Sequence, residues 1–172
     1  MQFRIEQRFR LPLAIVEDAF LDPAFIAETG SLPGLGQAEL LTLDSSPPSS
    51  GDVHLRIRYH FAGNLSSAVR AVVDPDRLSW VQDETYDRGS HRSSFRIVPD
   101  HYAEMLKASG TMRLSAAGPD RTTRLAIGEV RVSLPLVGGR VERAIISGLE
   151  AHAAAQTDLL HVWAGQGHSS PT

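Results

Sequence analysis

Residues 51–61, GDVHLRIRYHF, alternate between apolar and polar side chains without a break. A period of two indicates a β-strand that has one dry face and one wet face. The dry set is Val53, Leu55, Ile57, Tyr59 and Phe61, and the wet set is His54, Arg56, Arg58 and His60. Because the dry face must be covered, this strand requires either a packed core or a ligand cavity against it.

The rest of the chain supplies more strands and two kinds of helix. Pro12 and the Asp22-Pro23 pair indicate two short helices after a first strand at 3–9, with Gly30 ending the second. Further strands are predicted at 38–46, 51–61, 77–86, 90–98, 102–115 and 122–134. Short connections favour antiparallel pairing. Residues 64–73 fit a short helix better than a strand.

The last predicted strand has two apolar phases. Leu125 and Ile127 lie in one phase, whereas Val130, Val132 and Leu134 lie in the other. A β-bulge at Gly128 would reconcile them. A strand that is covered on both faces is an equally good interpretation.

A long helix is predicted at 139–164, and its apolar stripe is one-sided. The stripe consists of Val141, Ala144, Ile145, Gly148, Leu149, Leu159 and Trp163. A helix of about 25 residues is roughly 37 Å long but only about 10 Å wide. Seven strands spaced about 4.8 Å apart form a sheet more than 30 Å wide, so one helix does not cover the dry face unless the sheet curls.

The predicted fold class is therefore α+β: a curved antiparallel sheet of about seven strands wrapped around a long C-terminal helix, with a short helical pair after the first strand. Aromatic residues make up only 6% of the chain, and several inward positions are small, such as Ala108, Gly110, Ala126 and Gly148. Complete filling by side chains is therefore difficult. This composition favours a ligand-sized cavity over a tightly packed interior.

Length and charge set broad limits. The 172 residues predict a single domain at 1–165, followed by a disordered tail at 166–172. A net charge of −3 gives no reason to expect a nucleic-acid partner. The chain has no cysteine. The start lacks the apolar run of a signal peptide and no stretch is long enough to span a membrane, so a cytoplasmic protein without integral membrane association is expected.

Residues 130–165 carry a resemblance to a known group of proteins. The strand ending in Pro135-Leu-Val-Gly-Gly139 and the long helix after it resemble the START-related helix-grip superfamily, also called SRPBCC. The nearest resemblance is to the bacterial domain-of-unknown-function family 2505, in which Glu-x-Trp tends to stand where Glu84 and Tyr86 stand here. The resemblance implies a helix-grip fold with a deep apolar cavity between sheet and helix. It names no ligand, since members bind lipids, sterols, polyketides or hormones and a minority are enzymes.

The inward phases of the strands and the helix stripe predict the residues that bind a ligand. They are Tyr59, Phe61, Leu78, Trp80, Glu84, Tyr86, Phe95, Met112, Ile145, Leu149 and His152. Gln82, His91 and Ser93 are further polar candidates, although His91 stands near a turn and is expected to be exposed.

Glu84 and His152 are the candidates for acid–base chemistry. The more ordinary interpretation of Glu84 is a carboxylate at the rim, in water or paired with Arg92 or Arg96. His152 is more simply a core histidine whose hydrogen bonds are satisfied. No HxH or HExxH spacing occurs, so neither a metal nor another cofactor is predicted.

The function favoured by the sequence is binding or carriage of a hydrophobic or amphipathic small molecule, such as a lipid, an isoprenoid or a polyketide-like compound. One alternative is a cyclase-, aromatase- or isomerase-type enzyme that uses the same cavity, with Glu84 and His152 as its acid and base. The other alternative is an oligomeric interaction module, such as a homodimer, whose dry face is covered by another chain. The sequence alone identifies no catalytic constellation.

Overall fold

A computed structural model describes residues 1–33, 36–44, 51–61, 67–71 and 73–166. The elements are β1 (Gln2–Phe9), α1 (Leu13–Phe20), α2 (Pro23–Thr29), β2 (Ala38–Asp44), β3 (Asp52–His60), α3 (Ser67–Arg70), a 3₁₀ turn (Pro75–Arg77), β4 (Ser79–Asp87), β5 (Arg92–Pro99), β6 (Leu106–Gly118), β7 (Arg121–Val132) and α4 (Gly138–Gly165). Within the predicted helix at 64–73, residues Ser67–Arg70 are helical. Residues 64–66 and 72, and 167–172 of the predicted tail, lie outside the described residues.

The seven strands form one antiparallel sheet in the order β1-β7-β6-β5-β4-β3-β2. The alternation in β3 holds, since Val53, Leu55, Ile57 and Tyr59 are buried. The predicted α+β helix-grip fold, with its curved sheet and long C-terminal helix, is confirmed.

The two short helices follow β1 as predicted. The carboxylate of Asp22 accepts the N–H of Ala24 at 2.8 Å and caps α2. Gly30 ends α2 with a right-handed φ of −65° rather than a left-handed one. A side chain is excluded there because a Cβ would lie 2.6 Å from the amide nitrogen of Ala38.

The bulge predicted at Gly128 is wrong, because β7 keeps one register with both neighbours through this residue. The even-numbered residues from Thr122 to Val132 face inward throughout. Ile127 faces outward and is 46% exposed, so the strand is not covered on both faces either. The apolar phase that contains Leu125 and Ile127 is therefore part of the partly solvated outer surface of the sheet.

Four residues form a row across the middle of the sheet. Gly128 of β7 pairs with Phe3 on one side and with Gly110 of β6 on the other, and Gly110 pairs with Phe95. A Cβ on Gly128 would lie 2.6 Å from the Phe3 ring, and one on Gly110 would lie 2.8 Å from the Phe95 ring. The two rings therefore occupy the space that side chains at the two glycines would fill. We call this row the glycine row.

Candidate functional site

A cavity of about 370 Å³ lies between the sheet and the N-terminal half of α4. We call it the apolar cavity. Its walls come from the end of the sheet where β4 and β6 begin and β5 and β7 end, together with the segments around Val73 and Tyr102. Val141, Ile145 and Leu149 of α4 close it from the helix side. The N-terminal part of the predicted α4 stripe is therefore the roof of a void, whereas Trp163 lies in the hydrophobic core and Leu159 packs against that core.

Six of the predicted ligand-binding residues line the apolar cavity: Phe61, Leu78, Trp80, Phe95, Ile145 and Leu149. The ring of Trp80 stacks on that of Tyr59, with centroids 6.1 Å apart, which fixes this part of the wall. Apolar side chains dominate the lining, and its polar contributors include Ser79, Gln82 and His101.

The other half of the concave face encloses a smaller space of about 60 Å³, which we call the polar chamber. It contains four more of the predicted residues: Tyr59, Glu84, Tyr86 and Met112. Glu17 of α1, Ser93 of β5, Arg124 of β7 and Gln156 of α4 also line it. Gln82 borders both spaces. The predicted binding residues are thus divided between two compartments. In β6 and β7 the glycine row lies between Met112 and Arg124 of the polar chamber and Ala108 and Val130 of the apolar cavity.

Arg124 is the central cation of the polar chamber, and the sequence analysis missed it. Its Nη1 donates to Oε1 of Gln7 at 3.1 Å and to Oε1 of Gln156 at 3.0 Å. Its guanidinium lies 4.2 Å from the centroid of the Phe20 ring, a cation–π contact. Burial lowers the pKa of Arg124, and the nearby Glu84 opposes that shift. Among the described residues, no carboxylate forms an ion pair with this guanidinium.

Glu84 is not the rim carboxylate that the sequence favours. Its side chain is 6% exposed, and its Oε2 accepts Nε2 of Gln82 at 2.8 Å. Arg96, one of the expected salt-bridge partners, instead binds the outward-facing Asp83 at 2.8 Å. A buried carboxylate therefore faces the polar chamber with an amide as its hydrogen-bond partner.

The two tyrosines of the polar chamber are held in their protonated forms. Burial raises the pKa of Tyr59 well above its usual range, and the Glu84 carboxylate adds to this effect. Burial also raises the pKa of Tyr86, as does its hydrogen bond to Oε1 of Glu17. Both phenols are therefore hydrogen-bond donors at neutral pH.

The His91 side chain is 38% exposed, as its position near a turn predicts, and it also has a hydrogen-bond partner within the protein. Its Nδ1 lies 2.7 Å from Oε1 of Glu17, and its backbone φ is +56°. Glu17 itself is 8% exposed and also binds Tyr86, so its carboxylate is occupied by partners of its own.

His152 lines neither the apolar cavity nor the polar chamber. It is buried on α4, where its Nδ1 lies 3.3 Å from the carbonyl oxygen of Pro33. Burial lowers the pKa of His152, which favours the neutral imidazole. The structure therefore does not bring His152 and Glu84 together around a common space.

Two further features are absent from the part of the chain that the structure describes. No group of three or more His, Asp or Glu side chains among them is placed to hold a metal ion. No helix within the described ranges is both long enough and apolar enough to cross a membrane.

Structural comparison shows the same fold in distant proteins. The Zhui aromatase/cyclase from Streptomyces sp. R1128 is 14% identical, with a TM-score of 0.64 over 96% of this chain and 94% of that one. A START superfamily protein from Mycobacterium smegmatis is 13% identical, with a TM-score of 0.63 over 94% and 98%. Norcoclaurine synthase from Thalictrum flavum, solved with dopamine and hydroxybenzaldehyde, is 14% identical, with a TM-score of 0.62 over 99% and 89%.

Sequence comparison assigns the family. No curated protein matches this sequence. The family model described as "Protein of unknown function (DUF2505)" matches residues 4–164, which include every described strand except the first two residues of β1. This chain therefore belongs to the DUF2505 family, and it shares its fold with a START superfamily protein.

Proposed function

We propose that this protein binds or carries a hydrophobic or amphipathic small molecule, such as a lipid, an isoprenoid or a polyketide-like compound, in the apolar cavity. The observation that carries the proposal is the cavity itself. Its volume of about 370 Å³ falls within the range of small-molecule sites, about 300–1,000 Å³, and apolar side chains dominate its lining.

The physical basis of binding is removal of apolar surface from water. Each methylene group that a ligand buries contributes about 0.8 kcal/mol before the costs of association. Phe61, Trp80 and Phe95 provide broad apolar walls, while Gln82 offers a hydrogen bond to a polar substituent. An amphipathic molecule fits this distribution better than a strongly charged one.

Binding is favoured over the cyclase or isomerase alternative because the proposed acid–base pair is not assembled. Glu84 faces the polar chamber, whereas His152 lies outside both spaces and contacts Pro33. General acid–base catalysis needs its groups within hydrogen-bond reach of the same reacting atoms. Catalysis through this pair is therefore not supported by its geometry.

The test is to fill the apolar cavity with a larger side chain on α4, the helix that forms its roof. Leu149→Trp places an indole in the cavity, while Ala151→Trp places the same ring on the exposed side of α4. Binding of the fluorescent probe N-phenyl-1-naphthylamine is measured for both variants and for the unaltered protein. Native mass spectrometry and organic extraction then detect molecules that co-purify with each.

We expect at least a tenfold loss of probe affinity in Leu149→Trp and less than a twofold change in Ala151→Trp. Thermal unfolding of both variants verifies that the fold is kept. If the unaltered protein binds no probe and carries no extractable hydrophobic molecule, the proposed function is wrong. Equal probe affinities in the two tryptophan variants would place binding elsewhere.

A further inference from the structure

The polar chamber holds a buried carboxylate, Glu84, and a half-buried guanidinium, Arg124, which do not pair with each other. Glu84 accepts a hydrogen bond from Gln82, and Arg124 donates to Gln7 and Gln156. A guanidinium carries five N–H donors. The remaining bond of Arg124 goes from Nη2 to the thioether sulfur of Met112, which is a weak acceptor. Both charged groups therefore keep hydrogen-bonding capacity toward the chamber.

Two hydroxyl groups also line the same chamber. The side chain of Ser93 lies in a residue only 5% exposed, and its Oγ has no hydrogen-bond partner. The Tyr59 residue is likewise 5% exposed and lines the same chamber. A buried hydroxyl without a hydrogen-bond partner costs free energy of folding. Its presence at a cavity wall therefore indicates that a bound molecule supplies the missing partner.

The chamber is small and lies directly beside the apolar cavity. A space of about 60 Å³ accommodates a few water molecules or one small polar substituent, but not a phosphate or a sugar. Gln82 borders both spaces, and Nε2 of its side chain is held by Glu84. A molecule in the apolar cavity therefore reaches the polar chamber past a single amide side chain.

We propose that the polar chamber binds the hydroxyl end of an amphipathic alcohol whose apolar body fills the apolar cavity. This inference rests on the proposed function of that cavity. The hydroxyl donates to Glu84 and accepts from Ser93, Tyr59 or Arg124. A carboxylate is disfavoured because Glu84 places a negative charge in the same small space, and Arg124 already donates to two glutamines.

The test compares three ligands with the same twelve-carbon chain: 1-dodecanol, its methyl ether and dodecanoate. Each is titrated against bound N-phenyl-1-naphthylamine, and its dissociation constant follows from the displacement of the probe. The ether keeps the oxygen acceptor but lacks the donor that Glu84 requires. We expect dodecanol to bind at least tenfold more tightly than the ether, because a hydrogen bond to a charged group is a strong one.

The variants Glu84→Gln and Ser93→Ala then test which side chains cause the preference for dodecanol over its methyl ether. Glu84→Gln replaces a charged acceptor by a neutral one, so we expect the preference for dodecanol over the ether to fall about fivefold. Ser93→Ala is expected to lower it about threefold. Asp83→Asn and Ser94→Ala are the matched controls, since these side chains face outward from the same strands, and neither is expected to change the preference.

The outcomes separate this inference from the proposed function. If dodecanol and its ether both displace the probe with equal affinity, the apolar cavity binds ligands but the polar chamber does not recognise a hydroxyl. Tighter binding of dodecanoate than of dodecanol also overturns the inference. If none of the three ligands displaces the probe, the proposed function fails and the inference fails with it.

Discussion

The two halves of the concave face are built by the same strands but have opposite character. Toward Phe61, Trp80 and Leu106 the sheet and α4 enclose about 370 Å³ of apolar space. In the other half the space contracts to about 60 Å³ around polar groups such as Glu84 and Arg124. A single sheet thus combines a roomy hydrophobic compartment with a narrow hydrogen-bonded one.

The difference indicates that the packing that stabilises the fold and the proposed binding cavity lie in different parts of the same strands. In the polar half, Arg124 links β7 to α4 through Gln156 and to β1 through Gln7, and Phe9, Phe25, Leu160 and other side chains form a core cluster nearby. The apolar half instead leaves its side chains facing a void. We infer that the polar half stabilises the fold and that the apolar half is free to vary with the ligand.

Removal of the Arg124 guanidinium is expected to give the largest effect on stability. Arg124→Met removes the donor to Oε1 of the buried Gln7 and leaves Oε1 of the half-buried Gln156 only the 3.5 Å contact with Nε2 of Gln7. An unsatisfied buried acceptor costs about 1–3 kcal/mol. We expect the free energy of unfolding in urea to fall by roughly 3 kcal/mol. Arg121→Met, on the exposed start of the same strand, is the control and should stay within about 0.5 kcal/mol. Equal stability of the two variants would show that the polar half does not depend on Arg124.

The boundary between the halves is tested by Gly128→Ala. The added methyl group would lie 2.6 Å from the Phe3 ring and 2.5 Å from the carbonyl oxygen of Ser109. Overpacking of this kind destabilises by about 1–3 kcal/mol, and we expect a loss in that range, measured by thermal unfolding. Gly165→Ala meets no atom within 4 Å and serves as the control. A fully stable Gly128→Ala protein would mean that the two rings are not held in place by the glycines.

The smallest expected effect concerns pH and His152. Burial lowers the pKa of this imidazole below its ordinary value of 6.5, and the positive charge of Arg124 adds a smaller effect in the same direction. Below pH 6.5 the unfolded chain binds a proton at this site more readily than the folded protein does. The free energy of unfolding therefore falls as the pH falls from 6.5 toward the folded pKa, by at most about 1.4 kcal/mol per pH unit.

His152→Asn removes the titrating group and keeps a donor in reach of the carbonyl oxygen of Pro33. Denaturant unfolding measured between pH 7.5 and 5 should show a shallower pH dependence for this variant than for the unaltered protein. His60→Asn changes an exposed histidine on the outer face of β3 and should leave the slope unchanged. An identical slope in all three proteins would contradict the assignment.

The sequence predicts the apolar half better than the polar half. Alternation in β3 and β4 and the spacing in α4 identify Phe61, Trp80, Ile145 and Leu149 as inward-facing, and all four line the apolar cavity. These residues obey simple periodicity because they are apolar and the surface that they cover is regular. The fold class follows from the same patterns together with the narrow width of a single helix.

Arg124 shows where periodicity fails. The apolar pair Leu125 and Ile127 suggests that β7 changes its inward face, which assigns the arginine to the outside. Arg124 in fact faces inward, because β7 keeps the same alternation through Gly128 and Arg124 therefore shares the inward phase of Val130 and Val132. Glycine carries no hydropathy signal, so the continuity was not evident from the pattern alone. The partners of Arg124 lie in β1 and α4, far from it in the sequence. The pattern of residues around Arg124 therefore does not indicate these contacts.

The void beneath α4 has a mechanical consequence. Unfilled internal volume is eliminated when a chain unfolds, so hydrostatic pressure favours the unfolded state in proportion to such volume. The ligand-free protein should be compressible on one side of the glycine row and stiff on the other. A molecule that occupies the apolar cavity would reduce this unfilled volume and so raise the pressure at which the protein unfolds.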